Sequence, residues 1–262
     1  MEVRLDGRCA VVTGGAMGIG RGIAKCLADS GAYVIIADIA KEAAQTTAGE
    51  IVAAGGKADS LFLDVTDVNQ VQQVMDEVEK LGGKLDICVH TVGVHEARSF
   101  LEIDQKDIER LTRINILGAS NVMRASLKKM IPHRYGKLVV LSSIAARMGC
   151  TDAHYGMTKS AQMHMCWCAA MEVAKYNINV NSIAPGFVMT PMFERILDTR
   201  LGDKKDDPAE RQRCWEEAVS ETMFKRPQTP EDIGNMAVFL CSDLAKEITG
   251  QCYNVCGGSR MN

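Results

Sequence analysis

The stretch Cys9-Ala10-Val11-Val12-Thr13-Gly14-Gly15-Ala16-Met17-Gly18-Ile19-Gly20 decides how the rest of the chain is read. A short apolar run passes straight into a glycine cluster, and Ile23, Ala24 and Leu27 then repeat at helical spacing. A strand, a tight glycine turn and a helix in that order form a cradle for a pyrophosphate. Glycines let the backbone turn and approach the ligand, and the amides and positive end of the helix hold its charge. A glycine cluster alone says little; one lodged between a strand and a helix is specific. Gly14, Met17, Gly18, Ile19 and Gly20 are therefore expected to bind a dinucleotide.

Further apolar runs of strand length follow at Tyr33 to Ala37, Ser60 to Leu63, Ile87 to His90, Leu138 to Ser142, Asn179 to Ile183 and Gln251 to Val255, with helical periodicity between them. Strands apolar on both faces that alternate with helices imply a parallel sheet covered on both sides through right-handed crossovers. The expected fold is α/β: a doubly wound parallel sheet in three layers, α/β/α. No Pro/Ser-rich linker, composition shift or internal repeat divides the chain, so residues 1–262 are read as a single domain. The charged stretch Asp198 to Glu217 lies in a segment at about 189–225 that is expected to form a lid beyond the carboxyl ends of the strands.

Composition narrows the function. The chain has 262 residues, 47% hydrophobic and 24% charged, as a globular α/β protein requires. A net charge of -3 and the absence of any basic run argue against nucleic acid and anionic lipid, and favour a small-molecule partner. No window approaches a membrane span, and Met1 to Gly7 carries charges where a secretory signal needs an apolar core, so a cytoplasmic protein is expected. None of the ten cysteines forms a Cys-x-x-Cys pair; most sit in apolar runs such as Leu85-Asp86-Ile87-Cys88-Val89 and read as small hydrophobes in a reducing compartment. Cys252 and Cys256, near the C-terminus where a segment can be exposed, are the first candidates for an exception, though the same reading leads there too. The histidines at 95, 133, 154 and 164 lack zinc-site spacing, and no metal is expected.

The second strand ends in Asp38, 18 residues beyond Gly20, where an acidic side chain receives the hydroxyls of an adenosine ribose. A carboxylate there repels a 2′-phosphate, and Met17 stands in the turn where a phosphate-binding cation would sit. The expected cofactor is NAD rather than NADP; the competing reading is that Asp38 merely caps the next helix. Further on, Tyr155 and Lys159 are four apart at the start of a helical segment and so share one face. An ammonium beside a phenol favours the phenolate, lowers its pKa from about 10, and suits Tyr155 to general acid and base work.

Thr-Gly-x-x-x-Gly-x-Gly at 13 to 20 and Tyr-x-x-x-Lys at 155 to 159, separated by strand-helix units over nearly the whole chain, resemble the short-chain dehydrogenase/reductase family. The resemblance implies a Rossmann-type sheet and an oxidoreductase that moves a hydride between a secondary alcohol or ketone and NAD. It also implies that Ser143, the second of two adjacent serines, orients the substrate oxygen, the two side chains pointing to opposite faces of a strand. Asn115 resembles the family asparagine that holds a water leading to the lysine. Asp64 and Val65 resemble the pair that contacts adenine, while Pro185, Gly186, Val188 and Thr190 resemble the segment that grips the nicotinamide carboxamide. Where the family has Asn-Asn-Ala-Gly, this chain has His90-Thr91-Val92-Gly93. Gly93 keeps the close approach to the cofactor, and His90 is expected to replace a lost amide hydrogen bond.

From Tyr155 to Lys175 the helix is apolar almost all round, which calls for a second subunit against it, and the resemblance points to a homotetramer. The substrate is expected near Val94 to Ala97, Ala145 to Cys150, Phe187 and Met189 to Phe224. The apolar residues there fit a hydroxysteroid or bile acid; a polyol or small secondary alcohol beneath the lid is the alternative. A 3-oxoacyl-carrier-protein reductase and a catalytically silent protein on the same fold also compete. Asp38 and Met17 speak against the first, and the set Asn115, Ser143, Tyr155 and Lys159 against the second.

Overall fold

The computed structural model describes residues 3–261; Met1 and Glu2, part of the N-terminal stretch read above, lie outside the described residues. Each apolar run identified in the sequence becomes a strand. The chain runs β1 (Cys9–Thr13), α1 (Gly18–Asp29), β2 (Tyr33–Asp38), α2 (Lys41–Ala53), β3 (Lys57–Phe62), α3 (Val68–Gly82) and β4 (Ile87–His90). It continues through α4 (Gln105–Leu111), a π-helical turn (Thr112–Gly118), α5 (Ala119–Met130), β5 (Gly136–Leu141), α6 (Ala153–Val173) and β6 (Ile178–Pro185). The last elements are α7 (Pro191–Leu201), α8 (Pro208–Ser220), α9 (Pro230–Cys241) and β7 (Cys252–Val255).

All strand pairings are parallel, in the order β3-β2-β1-β4-β5-β6-β7. Alternation along the strands feeds two cores. Ala10, Val12, Val34, Ile36 and Val89 pack beneath Ile23, Leu27 and Ile233 of α1 and α9. Val11, Ile35, Cys88, Leu138 and Val140 pack beneath Val71, Met75, Val122 and Cys166 of α3, α5 and α6. The result is the single-domain, three-layer, doubly wound sheet expected. The chain winds in opposite directions from β1 to β2 and from β1 to β4, so a crevice opens beyond their carboxyl ends, the usual ligand position in such sheets.

Strand ends differ from the sequence reading by one or two residues at β2, β5, β6 and β7, and most at the start of β3. β3 begins at Lys57, not Ser60, because this edge strand alternates between exposed and half-buried residues and carries little apolar signal. All ten cysteines are free thiols. Cys252 and Cys256 are buried, as the reading of cysteines as small hydrophobes holds even near the C-terminus, and Cys168 of α6 is the exposed one. Among the described residues no helix is long and apolar enough to cross a membrane.

Candidate active site

A cavity of about 810 Å³ opens at that crevice. Its floor is the glycine turn between β1 and α1. Gly14 has φ +75, and a Cβ on Gly20 would sit 2.1 Å from the Gly14 carbonyl oxygen, so neither position accepts a side chain without moving the turn. Met17 caps α1 with its backbone only, and no side chain accepts from the first amides of the helix. Those amides remain available to an anion at the positive end of the helix. Gly14, Met17, Gly18, Ile19 and Gly20 all line the cavity.

Asp38, at the end of β2, lines the same cavity. Its Oδ2 accepts from the Ala16 amide at 3.0 Å and its Oδ1 from the Ala40 amide at 2.9 Å. The carboxylate thus supports the glycine turn and the entry to α2, while remaining beside the ligand space; the ribose and capping readings are compatible. Asp64 and Val65 follow β3 on the same wall, with Asp64 Oδ1 accepting from the Thr66 amide and hydroxyl. Gly93, Pro185, Gly186, Val188 and Thr190 line the opposite end, where Thr190 caps α7.

The turn after β4 is held without the family's asparagines. His90 Nδ1 meets Thr13 Oγ1 at 2.8 Å, and Thr91 Oγ1 donates to Thr13 O at 2.8 Å. His90 is fully buried and does not line the cavity; its Nε2 has no partner among the described residues. Burial, helped by the charge of Lys159, pushes its pKa down to about 3, so the ring is neutral.

Ser142 and Ser143 part company as alternation requires. Ser142 Oγ donates to Lys159 O at 3.0 Å, inside the core, whereas Ser143 lines the cavity and hydrogen-bonds the Tyr155 phenol. Tyr155 and Lys159 stand a turn apart on α6. Lys159 Nζ lies 5.8 Å from the centre of the Tyr155 ring and donates to Leu141 O at 2.8 Å and to Gln162 Oε1 at 3.0 Å.

The electrostatics differ from the sequence expectation. Burial pushes the Tyr155 phenol up to about 12, and the Ser143 hydrogen bond only partly opposes it. Lys159 does not lower it, because burial pushes the lysine itself down to about 7 and its ammonium points at two carbonyl groups.

Asn115 is not on the cavity wall. It sits in the π-helical turn, fully buried, with Oδ1 accepting from the Val94 amide at 2.8 Å and Nδ2 donating to Val94 O and Thr158 Oγ1. Its backbone carbonyl accepts from Gln162 Nε2 at 2.8 Å. A direct amide bridge, Asn115 to Gln162 to Lys159, therefore spans the gap for which the resemblance implied a water.

Sequence reasoning missed three further participants as site residues: Asp152, Gln162, and His95, which lies within the 94–97 stretch expected near the substrate. His95 packs on Tyr155 with ring centres 4.5 Å apart, and its Nε2 meets Asp152 Oδ2 at 3.1 Å. Both of these line the cavity. Gln162 carried a signal, the lone amide of its helix; the pairing of His95 with Asp152 across 57 positions carried none.

The fold and cavity define a dinucleotide-binding α/β oxidoreductase. Residues 14–260 match the family described as Enoyl-(Acyl carrier protein) reductase. The chain is 36% identical to a sorbitol dehydrogenase of Cereibacter sphaeroides, over 99% of this chain and 100% of the relative. It is 33% identical to the 3-oxoacyl-(acyl-carrier-protein) reductase FabG of Aquifex aeolicus, over 98% and 99%. The crystal structure of levodione reductase superposes with a TM-score of 0.91 at 25% identity, covering 97% of this chain and 98% of that one. The chain belongs to the short-chain dehydrogenase/reductase family, whose members use a nicotinamide cofactor on small-molecule substrates.

Proposed function

We propose that this protein is an NAD(H)-dependent dehydrogenase interconverting a secondary alcohol and a ketone, with Tyr155 as general acid and base. The observation that carries the reading is convergence: Ser143, Tyr155 and Lys159 line the same cavity as the glycine turn and Asp38. Gly14, Met17, Gly18, Ile19, Gly20, Asp38, Asp64, Val65, Gly93, Pro185, Gly186, Val188 and Thr190 would hold the dinucleotide, together with Tyr155 and Lys159. When bound, it supplies the hydride acceptor in oxidation and the donor in reduction.

Ser143 orients the substrate oxygen. Tyr155 removes the hydroxyl proton in oxidation and returns it in reduction. Lys159 stands beside the phenol, its Nζ 5.8 Å from the Tyr155 ring centre, and Asn115 acts behind it, through Gln162, to fix where that Nζ stands. Asp38 favours NAD over NADP because a carboxylate at the ribose repels a second phosphate.

The cavity has an apolar wall, including Met148, Phe187, Met192, Phe193 and Ile196, and a polar one with His95, Asp152 and Arg200. The apolar wall suits the skeleton of a hydroxysteroid or bile acid. Because the polar wall adjoins the Tyr155 ring, we favour a small hydroxylated alcohol, of the kind the name sorbitol dehydrogenase describes in the relative. Residues 189–225, with α7 and α8, serve as a lid in this account, and substrate-dependent protection of their amides from hydrogen exchange tests that role. The protein works in the cytoplasm as a homotetramer in the same reading. Its activity is tested by reduction of NAD, then NADP, over a panel of polyols, small secondary alcohols, hydroxysteroids and bile acids. Turnover preferring NAD on one group supports the reading; NADP preference would overturn its cofactor half.

A further inference from the structure

The wall of the cavity nearest Tyr155 contains a buried imidazole with one nitrogen engaged. The His95 side chain is only 7% exposed, and its Nε2 is fixed by Asp152 Oδ2 at 3.1 Å. Burial pushes the Asp152 carboxyl up, but the His95 hydrogen bond, the His95 charge and the Arg200 guanidinium 3.3 Å away outweigh it and hold the carboxyl below its ordinary value. Asp152 Oδ2 engages Nε2, which leaves Nδ1 as the second hydrogen-bonding nitrogen of the ring.

Among the described residues no hydrogen bond is formed to that nitrogen, and the neighbouring Glu96 is itself paired with Arg110 at 2.9 Å. His95 lines the cavity, so this nitrogen is placed to meet a polar group of a ligand. The imidazole lies against the reacting phenol, ring centres 4.5 Å apart, and not at the far end of the cavity. A group it binds is therefore close to the oxygen that exchanges its proton with Tyr155.

We infer that His95, held by Asp152, hydrogen-bonds a hydroxyl on the carbon next to the one that reacts, so the preferred substrates are vicinal diols and the matching α-hydroxy ketones. This rests on the dehydrogenase reading above. In oxidation, the reacting carbinol loses its C–H as hydride to the nicotinamide and its O–H proton to Tyr155. The second hydroxyl keeps its own proton and is unchanged. His95 is a specificity-determining residue here, and no proton is transferred across its hydrogen bond.

The experiment compares cyclohexanol with its vicinal diol as substrates of the full chain with NAD, in the wild type, His95→Phe and Asp152→Asn. Phenylalanine keeps a ring against Tyr155 but lacks the hydrogen-bonding nitrogens. Asparagine at 152 leaves the histidine in place and frees its tautomer, and so serves if the first variant folds poorly. The wild type should prefer the diol by about tenfold or more in kcat/KM, as one hydrogen bond to a buried partner predicts. Both variants should lose that preference, read within each variant as the ratio of kcat/KM for the diol to kcat/KM for cyclohexanol. A wild type that prefers cyclohexanol, or variants that lose both activities equally, would overturn the inference and leave the dehydrogenase reading standing. No oxidation of either alcohol by wild type, with NAD or NADP, alongside silence over the wider panel, would overturn that reading and this one with it.

Discussion

Lys159 Nζ donates to Gln162 Oε1 at 3.0 Å, and the same amide donates through Nε2 to the Asn115 carbonyl at 2.8 Å. Gln162 is fully buried, so its one side chain sets the position of the cation that serves Tyr155. Gln162→Leu keeps most of the volume and removes the acceptor; kcat should fall about tenfold. Gln162→Glu puts an opposite charge beside the lysine and favours its charged form. Since burial now pushes Lys159 down to about 7, the limb of the kcat/KM profile that reports it should move upward in pH in that variant. An unchanged profile would contradict the assignment.

Asp38 has one duty in the structure and a second in the proposed function, and one substitution separates them. Asp38→Ala removes acceptors for the Ala16 and Ala40 amides, at a cost of roughly 2 kcal/mol in unfolding free energy. It also removes the repulsion of a 2′-phosphate, so the ratio of NAD to NADP efficiency should drop by about tenfold or more. Urea unfolding checks the first, and steady-state kinetics the second. A lowered stability with an unaltered ratio would show that the carboxylate only props the turn.

His90 makes the protein acid-sensitive. The folded ring titrates at about 3, the unfolded one at about 6.5, so between these values the unfolded chain binds a proton that the native state refuses. Stability from this group is complete above the unfolded value and is lost as pH falls through the window. About 1.5 units below the unfolded value the loss is roughly 2 kcal/mol. His90→Asn retains a partner for Thr13 Oγ1 and cannot charge; its Tm should fall less steeply on acidification. Parallel Tm curves for the two proteins would refute the account.

The outer face of α6 leaves Met157, Trp167 and Met171 49%, 40% and 85% exposed. Apolar groups gathered on one face mark a contact surface, and a second subunit is the cover that the assembly reading supplies. The protein should elute as a tetramer at micromolar concentration, and Met171→Lys should shift it towards smaller species. Elution of the wild type as a monomer would remove the interface.

How far these features were legible in the sequence follows from how local their signals are. β1 and β4 agree with their apolar runs to the residue, since strands buried on both faces have no polar positions to blur the pattern. Tyr155 and Lys159 were legible because helical periodicity alone puts them on one face. β3 was half hidden by its edge position. The π-helical turn at Thr112–Gly118 left no compositional mark, although it carries Asn115 into the core. The rise in the Tyr155 pKa was unreadable because it depends on burial, and burial depends on residues from several elements.

The central claim is that Tyr155 performs acid and base catalysis with a nicotinamide cofactor in this cavity. It is tested most directly by the appearance of reduced nicotinamide when wild type and Tyr155→Phe are each mixed with NAD and a secondary alcohol, with NAD binding measured in parallel by calorimetry. The account predicts turnover by the wild type, and in the variant intact NAD binding with a rate lowered by about a hundredfold or more. A variant that binds NAD and turns over at near the wild-type rate would contradict it.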